Sequence, residues 1–321
     1  MRPRTLLTLG VVVVAGLLVA IPLARDGDEK PVSAPEADVL SRFQSTSAQE
    51  QGEVVRVDYK TRYDNATIDK RALVYLPAGY DEQDQATRYD ILYLMHGAGM
   101  GAESFFGGAG ESSALKNILD HMIEERQMRP TIVVTPTFYP DGNASLDLHY
   151  AGELDRAFPV ELENDLMPAV EGRYRTYAPT TDAAGFTASR EHRAFGGFSM
   201  GAVTTWYAFI DSLDYVKYFM PMAGDSWVIQ DSGGASAPEE TAAHLDKVAR
   251  GSGYQRDDYL IAASVGSNDG TKYQMEPQIR EMRELPDSFD DGNLRYTEDP
   301  DGGHDLESVY RQFFRSIPLF F

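Results

Sequence analysis

Gly197-Phe198-Ser199-Met200-Gly201 is a G-x-S-x-G pentapeptide placed where a strand should turn sharply into a helix. Before it, Arg193-Ala194-Phe195-Gly196 reads as a short buried strand, and after it Ala202 to Phe209 reads as a helix. A serine on such a turn is held out from the backbone, where its hydroxyl can attack an ester or amide carbonyl. Glycines two residues to either side let strand and helix pass close to one another. The pentapeptide therefore demands a sheet strand that feeds directly into a helix.

The surrounding pattern agrees. Tyr89 to Met95 is a nearly continuous apolar run, as expected of a strand covered on both faces, and Thr131 to Thr135 reads as another. Further strands are expected at Tyr218 to Ala223, Tyr259 to Val265 and Leu294 to Glu298. Helices are expected at Ser113 to Arg126, Pro159 to Tyr174, Glu239 to Arg250, Glu276 to Glu284 and Leu306 to Ser316. Val54 to Val57 and Ala72 to Leu76 read as antiparallel edge strands. Strand and helix alternate from Tyr89 onward, which gives an α/β fold with a mostly parallel central sheet and helices on both faces.

A length of 321 residues suits one large α/β domain with a tail, or two small domains. Arg2 and Arg4 precede an apolar run from Leu6 to Ala24, closed by Arg25-Asp26-Gly27-Asp28. Residues 1–25 are thus expected to be a signal peptide or an N-terminal membrane anchor. No clean cleavage site follows. Residues 26–52 are polar and aperiodic and are expected to be a disordered linker, and residues 53–321 the folded domain. The expected location is secreted or membrane-anchored, with the N-terminus as a membrane tether. A net charge of −21 argues against nucleic acid as a partner, because phosphates would be repelled. The absence of cysteine excludes disulfides, thiol nucleophiles and thiolate metal sites.

A serine hydroxyl needs a base, and the base needs an orienting acid. Of six histidines, only His304 follows a late strand, in Gly302-Gly303-His304-Asp305, where the paired glycines give the loop freedom. His121 and His244 read as surface residues, His192 as structural, and His149 as a loop residue lining the site. Asp269, in Gly266-Ser267-Asn268-Asp269-Gly270, is the preferred acid. Asp225, after the strand that follows the serine, is the alternative. An oxyanion would meet the N–H of Met200 and one N–H from His96-Gly97-Ala98-Gly99, with Gly97 lining the site and His96 shaping the loop. No metal or organic cofactor is expected, since this chemistry needs none.

Two patterns are set aside. Gly97-Ala98-Gly99-Met100-Gly101-Ala102 fits a dinucleotide fingerprint with Asp120 downstream, but the loop continues to Gly110 instead of opening into a helix. Asn65-Ala66-Thr67 and Asn143-Ala144-Ser145 are formal glycosylation sequons.

With these residues placed, the chain resembles the feruloyl and acetyl-xylan esterases of carbohydrate esterase family 1, relatives of esterase D with the α/β-hydrolase fold. The likeness spans about residues 53 to 321. Tyr93-Leu94-Met95-His96-Gly97-Ala98-Gly99 is similar to the family's oxyanion strand and loop. Glu161 to Pro168 with Glu171, Tyr174 and Arg175 is similar to its helix before the nucleophile. The runs holding Ser199, Asp269 and His304 resemble its nucleophile, acid and base loops. The resemblance implies Ala98 as the second oxyanion donor. It implies feruloylated or acetylated polysaccharide as substrate, with ferulate from arabinoxylan favoured. Phe219 to Trp227 is especially like the feruloyl branch, which implies that Trp227 stacks on the phenolic ring or a sugar. The family departs here at Ala202, often a glycine in relatives, and at Thr180 to Thr187, expected to be a longer surface loop. Other readings are an acetyl esterase, an acyltransferase such as the mycolyl transferases, or a non-catalytic carbohydrate-binding protein.

Overall fold

The computed structural model describes residues 34–321. The expected leader at residues 1–25 lies outside them, as does the first part of the expected linker. Helix α1 (Ala34–Ser45) precedes the long hairpin β1 (Glu53–Tyr63) and β2 (Ala66–Leu76). Then come β3 (Asp90–Met95), α2 (Ala114–Glu124), β4 (Thr131–Thr135) and α3 (Leu148–Glu161). Helix α3 continues through a π-helical turn (Leu162–Leu166) into α4 (Met167–Glu171). Next are α5 (Ala183–Ala188), β5 (Arg193–Phe198), α6 (Met200–Asp211), β6 (Tyr218–Met222), α7 (Gly233–Ser236) and α8 (Pro238–Gly251). The chain closes with β7 (Leu260–Gly266), α9 (Lys272–Arg283), β8 (Leu294–Asp299) and α10 (Leu306–Ser316). No described helix is long and apolar enough to cross a membrane.

The eight strands form one sheet in the order β1-β2-β4-β3-β5-β6-β7-β8. Its first three neighbours pair antiparallel, and every pair from β4 to β8 is parallel. Every residue of β3, β4 and β5 is buried, which requires cover on both faces and explains the runs without polar side chains at Ile91–Met95, Ile132–Val134 and Ala194–Phe198. In a parallel sheet all loops leaving the C-terminal strand ends share one edge, and ligands bind there. The loops after β3, β5, β7 and β8 carry Gly97, Ser199, Asp269 and His304. Topology alone thus gathers the expected site.

Several expectations need correction. The linker does not extend to residue 52. Residues 34–45 are helical, with Leu40 and Phe43 buried. Phe43 stacks on His121 at 4.6 Å, and the Asn117 side chain donates to the Gln44 carbonyl at 3.1 Å. The segment is polar on average, so its few apolar anchors were hidden by composition. For the same reason His121 is buried, not a surface residue. The helix expected from Pro159 begins at Leu148, because Asp147 caps it by accepting from the Tyr150 N–H at 3.1 Å. That start places His149 on a helix rather than in a loop. Thr180 to Thr187 is not simply loop: Asp182 caps α5, whose Phe186 is buried with Arg193 5.3 Å above its ring. Asp120 serves no nucleotide site. It is buried, accepting from Tyr75 Oη at 2.8 Å, Gly52 N at 2.7 Å and Lys116 Nζ at 2.7 Å.

Candidate active site

Ser199 has φ 57° and ψ −117°, a left-handed conformation that costs an ordinary L-residue roughly 1–3 kcal/mol and persists only where its surroundings enforce it. The enforcement is visible. Ser199 N–H donates to the Met222 carbonyl at 2.9 Å, tying the turn to the neighbouring strand β6. A Cβ on Gly197 would lie 2.3 Å from the Gly201 carbonyl, and one on Gly201 2.3 Å from that of Met95, so both must be glycine. Ala202 fits because its neighbour is Gly224, where a Cβ would come within 2.9 Å of the Ala202 methyl. Helix α6 is fastened to α3 by Thr204, whose hydroxyl lies 2.7 Å from the buried Asp155 carboxyl. Burial pushes that carboxyl well above the usual range.

The structure brings Ser199, His304 and Asp269 together. Ser199 Oγ is 2.9 Å from His304 Nε2, and His304 Nδ1 is 2.8 Å from Asp269 Oδ2. Asp269 is buried. Burial works to raise its pKa, but hydrogen bonds from His304 and from the Thr271 N–H and hydroxyl outweigh it and hold the carboxyl below its ordinary value. An ionised acid here keeps the proton on Nδ1 and leaves the Nε2 lone pair facing the serine. Phe198 packs against the imidazole at 4.6 Å.

The glycines of the base loop do not provide the expected freedom. A Cβ on Gly302 would sit 2.2 Å from Asp299 Oδ2, and one on Gly266 2.3 Å from the Gly302 carbonyl. They permit close packing, and the loop is anchored by Asp299. That residue, missed in the sequence, accepts from Ser308 Oγ at 2.8 Å and Arg311 Nε at 2.8 Å. An acid at a strand end followed twelve residues on by an arginine is too common a pattern to have marked it.

Asp225 is turned away from His304. It accepts from Trp227 Nε1 at 3.2 Å and the Gly234 N–H at 2.7 Å, and burial pushes its carboxyl up to about 6. Trp227 is only 8% exposed and packs against α3, where a Cβ on Gly152 would lie 3.0 Å from its ring and 4.0 Å from the Met200 side chain. His149 is largely exposed, 3.4 Å from Asp231 and 3.8 Å from Glu153. His192 bonds Asp90 at 2.6 Å and stacks on Tyr177 at 3.5 Å.

Met200 opens α6, so its N–H belongs to the first helical turn, which lacks intrahelical acceptors. Gly97 lies against the serine, and Gly99 N–H is used by the Ser145 carbonyl at 2.8 Å. The loop is braced from below by His96. It is fully buried, with Nδ1 2.8 Å from the Gly97 carbonyl and Nε2 2.7 Å from Thr137 Oγ1, and burial lowers its pKa to about 4. Thr137, also missed, is held in turn by Lys70, which donates to its carbonyl at 2.6 Å.

A serine on a strained strand-to-helix turn, bonded to an imidazole that a buried carboxylate orients, on a parallel sheet, defines a serine hydrolase of the α/β-hydrolase class. The family described as "Putative esterase" matches residues 67–318, and the chain belongs to that family. It is 37% identical over 267 residues to endo-1,4-beta-xylanase Y of Acetivibrio thermocellus, a match that covers 82% of this chain and 23% of that protein. The chain thus spans about a quarter of the curated relative's length. The feruloyl esterase module from Clostridium thermocellum, solved as a serine-to-alanine variant with sinapinate, is 35% identical with a TM-score of 0.72, covering 87% of this chain and 91% of that one. A ferulic acid esterase from Anaeromyces mucronatus, with ferulic acid, shares the fold at 20% identity, with a TM-score of 0.61 and coverage of 87% and 95%. The family placement agrees with the resemblance carried by the sequence motifs, and the chain is an esterase.

Proposed function

We propose that this esterase hydrolyses hydroxycinnamoyl esters of plant cell-wall polysaccharide, with ferulate as the acyl group. The carrying observation is the hydrogen-bonded line from Ser199 through His304 to Asp269. The sinapinate bound by the 35%-identical module supports the choice of acyl group. In this reading Ser199 Oγ attacks the ester carbonyl carbon while His304 Nε2 takes its proton. Charge develops on the carbonyl oxygen, where the N–H groups of Met200 and Ala98 receive it. His304 then protonates the departing sugar oxygen, leaving feruloyl-Ser199. A water gives its proton to His304 and attacks the acyl carbon, and the proton returns to Ser199 as ferulate leaves. Trp227 and Gly97 line the acyl side, while His149 stands at the rim.

Hydrolysis of methyl ferulate and 4-nitrophenyl acetate by the full chain and by Ser199→Ala tests this. Ferulate release lost in the variant is expected. Turnover of acetate alone would move the substrate toward acetylated xylan. The polymer lies outside the cell, and the apolar run Leu6 to Ala24 with basic residues before it fits an exported or tethered enzyme. Recovery of the chain in the cytosolic fraction of its host would overturn that placement.

A further inference from the structure

Leu146 is the most exposed large apolar residue among those described, at 81%. Single exposed leucines are ordinary, so exposure by itself carries nothing. Its position is what matters. The preceding carbonyl, of Ser145, accepts the Tyr139 hydroxyl at 2.5 Å and the Gly99 N–H at 2.8 Å, which pins the backbone. The following residue, Asp147, is the cap of α3. The leucine is therefore held between two fixed points. Its side chain lies on the glycine loop: a Cβ on Gly99 would be 2.6 Å from Leu146 Cδ2. Gly99 adjoins Ala98, and a Cβ on Gly97 would be 3.0 Å from the Ser199 Cβ. Along α3 in the other direction, Gly152 meets the Trp227 ring. The segment from Ser145 to Gly152 thus runs as a wall from the glycine loop to Trp227, with Leu146 at its solvent edge.

We propose that Leu146 is a specificity-determining residue that packs on the aromatic ring of the acyl group, an inference that rests on the feruloyl reading above. A leucine offers no hydrogen bond to a sugar hydroxyl, whereas a flat ring covers it and is covered by it. Bound substrate removes the exposed methyls from water, and the gain depends on how much ring reaches them. An acetyl group has no ring to reach them.

The test compares the full chain with Leu146→Ala, Leu146→Met and, as a control on the same helix system, Val160→Ala, itself 67% exposed. Methyl ferulate carries its ring on the acyl side only, and 4-nitrophenyl acetate on the leaving side only. Leu146→Ala is expected to lower kcat/KM on methyl ferulate roughly tenfold, chiefly through KM. Turnover of 4-nitrophenyl acetate should stay within about twofold of wild type, Leu146→Met should restore ferulate turnover, and Val160→Ala should match wild type. Equal losses on both esters, a loss on 4-nitrophenyl acetate alone, or no loss at all would each overturn the assignment. A wild-type chain that cleaves the acetate and not methyl ferulate would overturn the feruloyl reading and this one together. Normal ferulate turnover in both wild type and Leu146→Ala would overturn only this one.

Discussion

Gly97 and Ser199 approach so closely that a Cβ at position 97 would lie 3.0 Å from the Ser199 Cβ. The contact leaves no room for a side chain between the glycine loop and the serine. Gly97→Ala should push the two apart by a few tenths of an ångström without unfolding the chain. Misplacement of a reacting group is costly, so kcat should fall by roughly 10–100-fold with stability changed by less than about 1 kcal/mol. Steady-state kinetics beside a urea titration would decide it, and unchanged kcat would show that the contact is not felt by the reaction.

Asp269 fixes which imidazole nitrogen carries the proton. Asp269→Asn keeps the shape but offers an N–H or a neutral oxygen to His304, and is expected to lower kcat by about 10³–10⁴-fold. Asp225→Asn, turned away from His304, should cost far less. A comparable loss in the two variants would contradict the distinction drawn between these acids, and a larger loss in Asp225→Asn would exchange their roles.

Phe43 is fully buried between His121 and Phe314, with ring centroids at 4.6 and 6.0 Å. Phe43→Ala should destabilise the protein by about 3–5 kcal/mol. A chain begun at Glu53 should lose at least as much, while ester turnover below its melting temperature stays near wild type. Equal melting temperatures for the shortened and full chains would show that α1 contributes nothing.

His96 is neutral in the fold, its pKa lowered by burial to about 4. An unfolded chain binds its proton below about 6.5, and the folded one does not until about 4. Stability from this group is therefore complete above about 6.5 and is lost as pH falls toward 4. The full difference is about 3 kcal/mol, and about 2 kcal/mol of it should be gone by pH 5. Gln at this position cannot gain the proton. The stability gap between wild type and His96→Gln should thus narrow by that amount between pH 7.5 and pH 5, and a gap that stays constant with pH would contradict the assignment.

Much of the fold was legible because its signals are local. The apolar runs of β3 and β4 announce strands buried on both faces, and the last helix was read at its observed bounds, Leu306–Ser316. What escaped were features that depend on a distant partner. Polar average composition hid α1, since its anchor is His121 on another helix. The glycines beside His304 read as flexible, yet Gly302 is required by the Asp299 carboxylate that folds back onto it, and Gly303 lies against that of Asp305.

The sequence by itself determined the sharp turn at Ser199, because Gly197 answers a backbone clash with Gly201 only four residues on, although Gly201 in turn clears the Met95 carbonyl of the distant β3. It also determined the order of strands and helices, since periodicity is a property of neighbours in the chain. Only the tertiary structure decided which acid faces His304. Asp225 and Asp269 both follow parallel strands, and their directions depend on the Gly234 N–H and Trp227 in one case and on His304 and Thr271 in the other. It likewise decided where Leu146 lies, because that position is set by Tyr139 and Gly99 across the loop. Ser199 and His304 meet across 105 positions of chain. Contacts of that span follow from sheet order and packing, which the residues on either side of a motif do not encode.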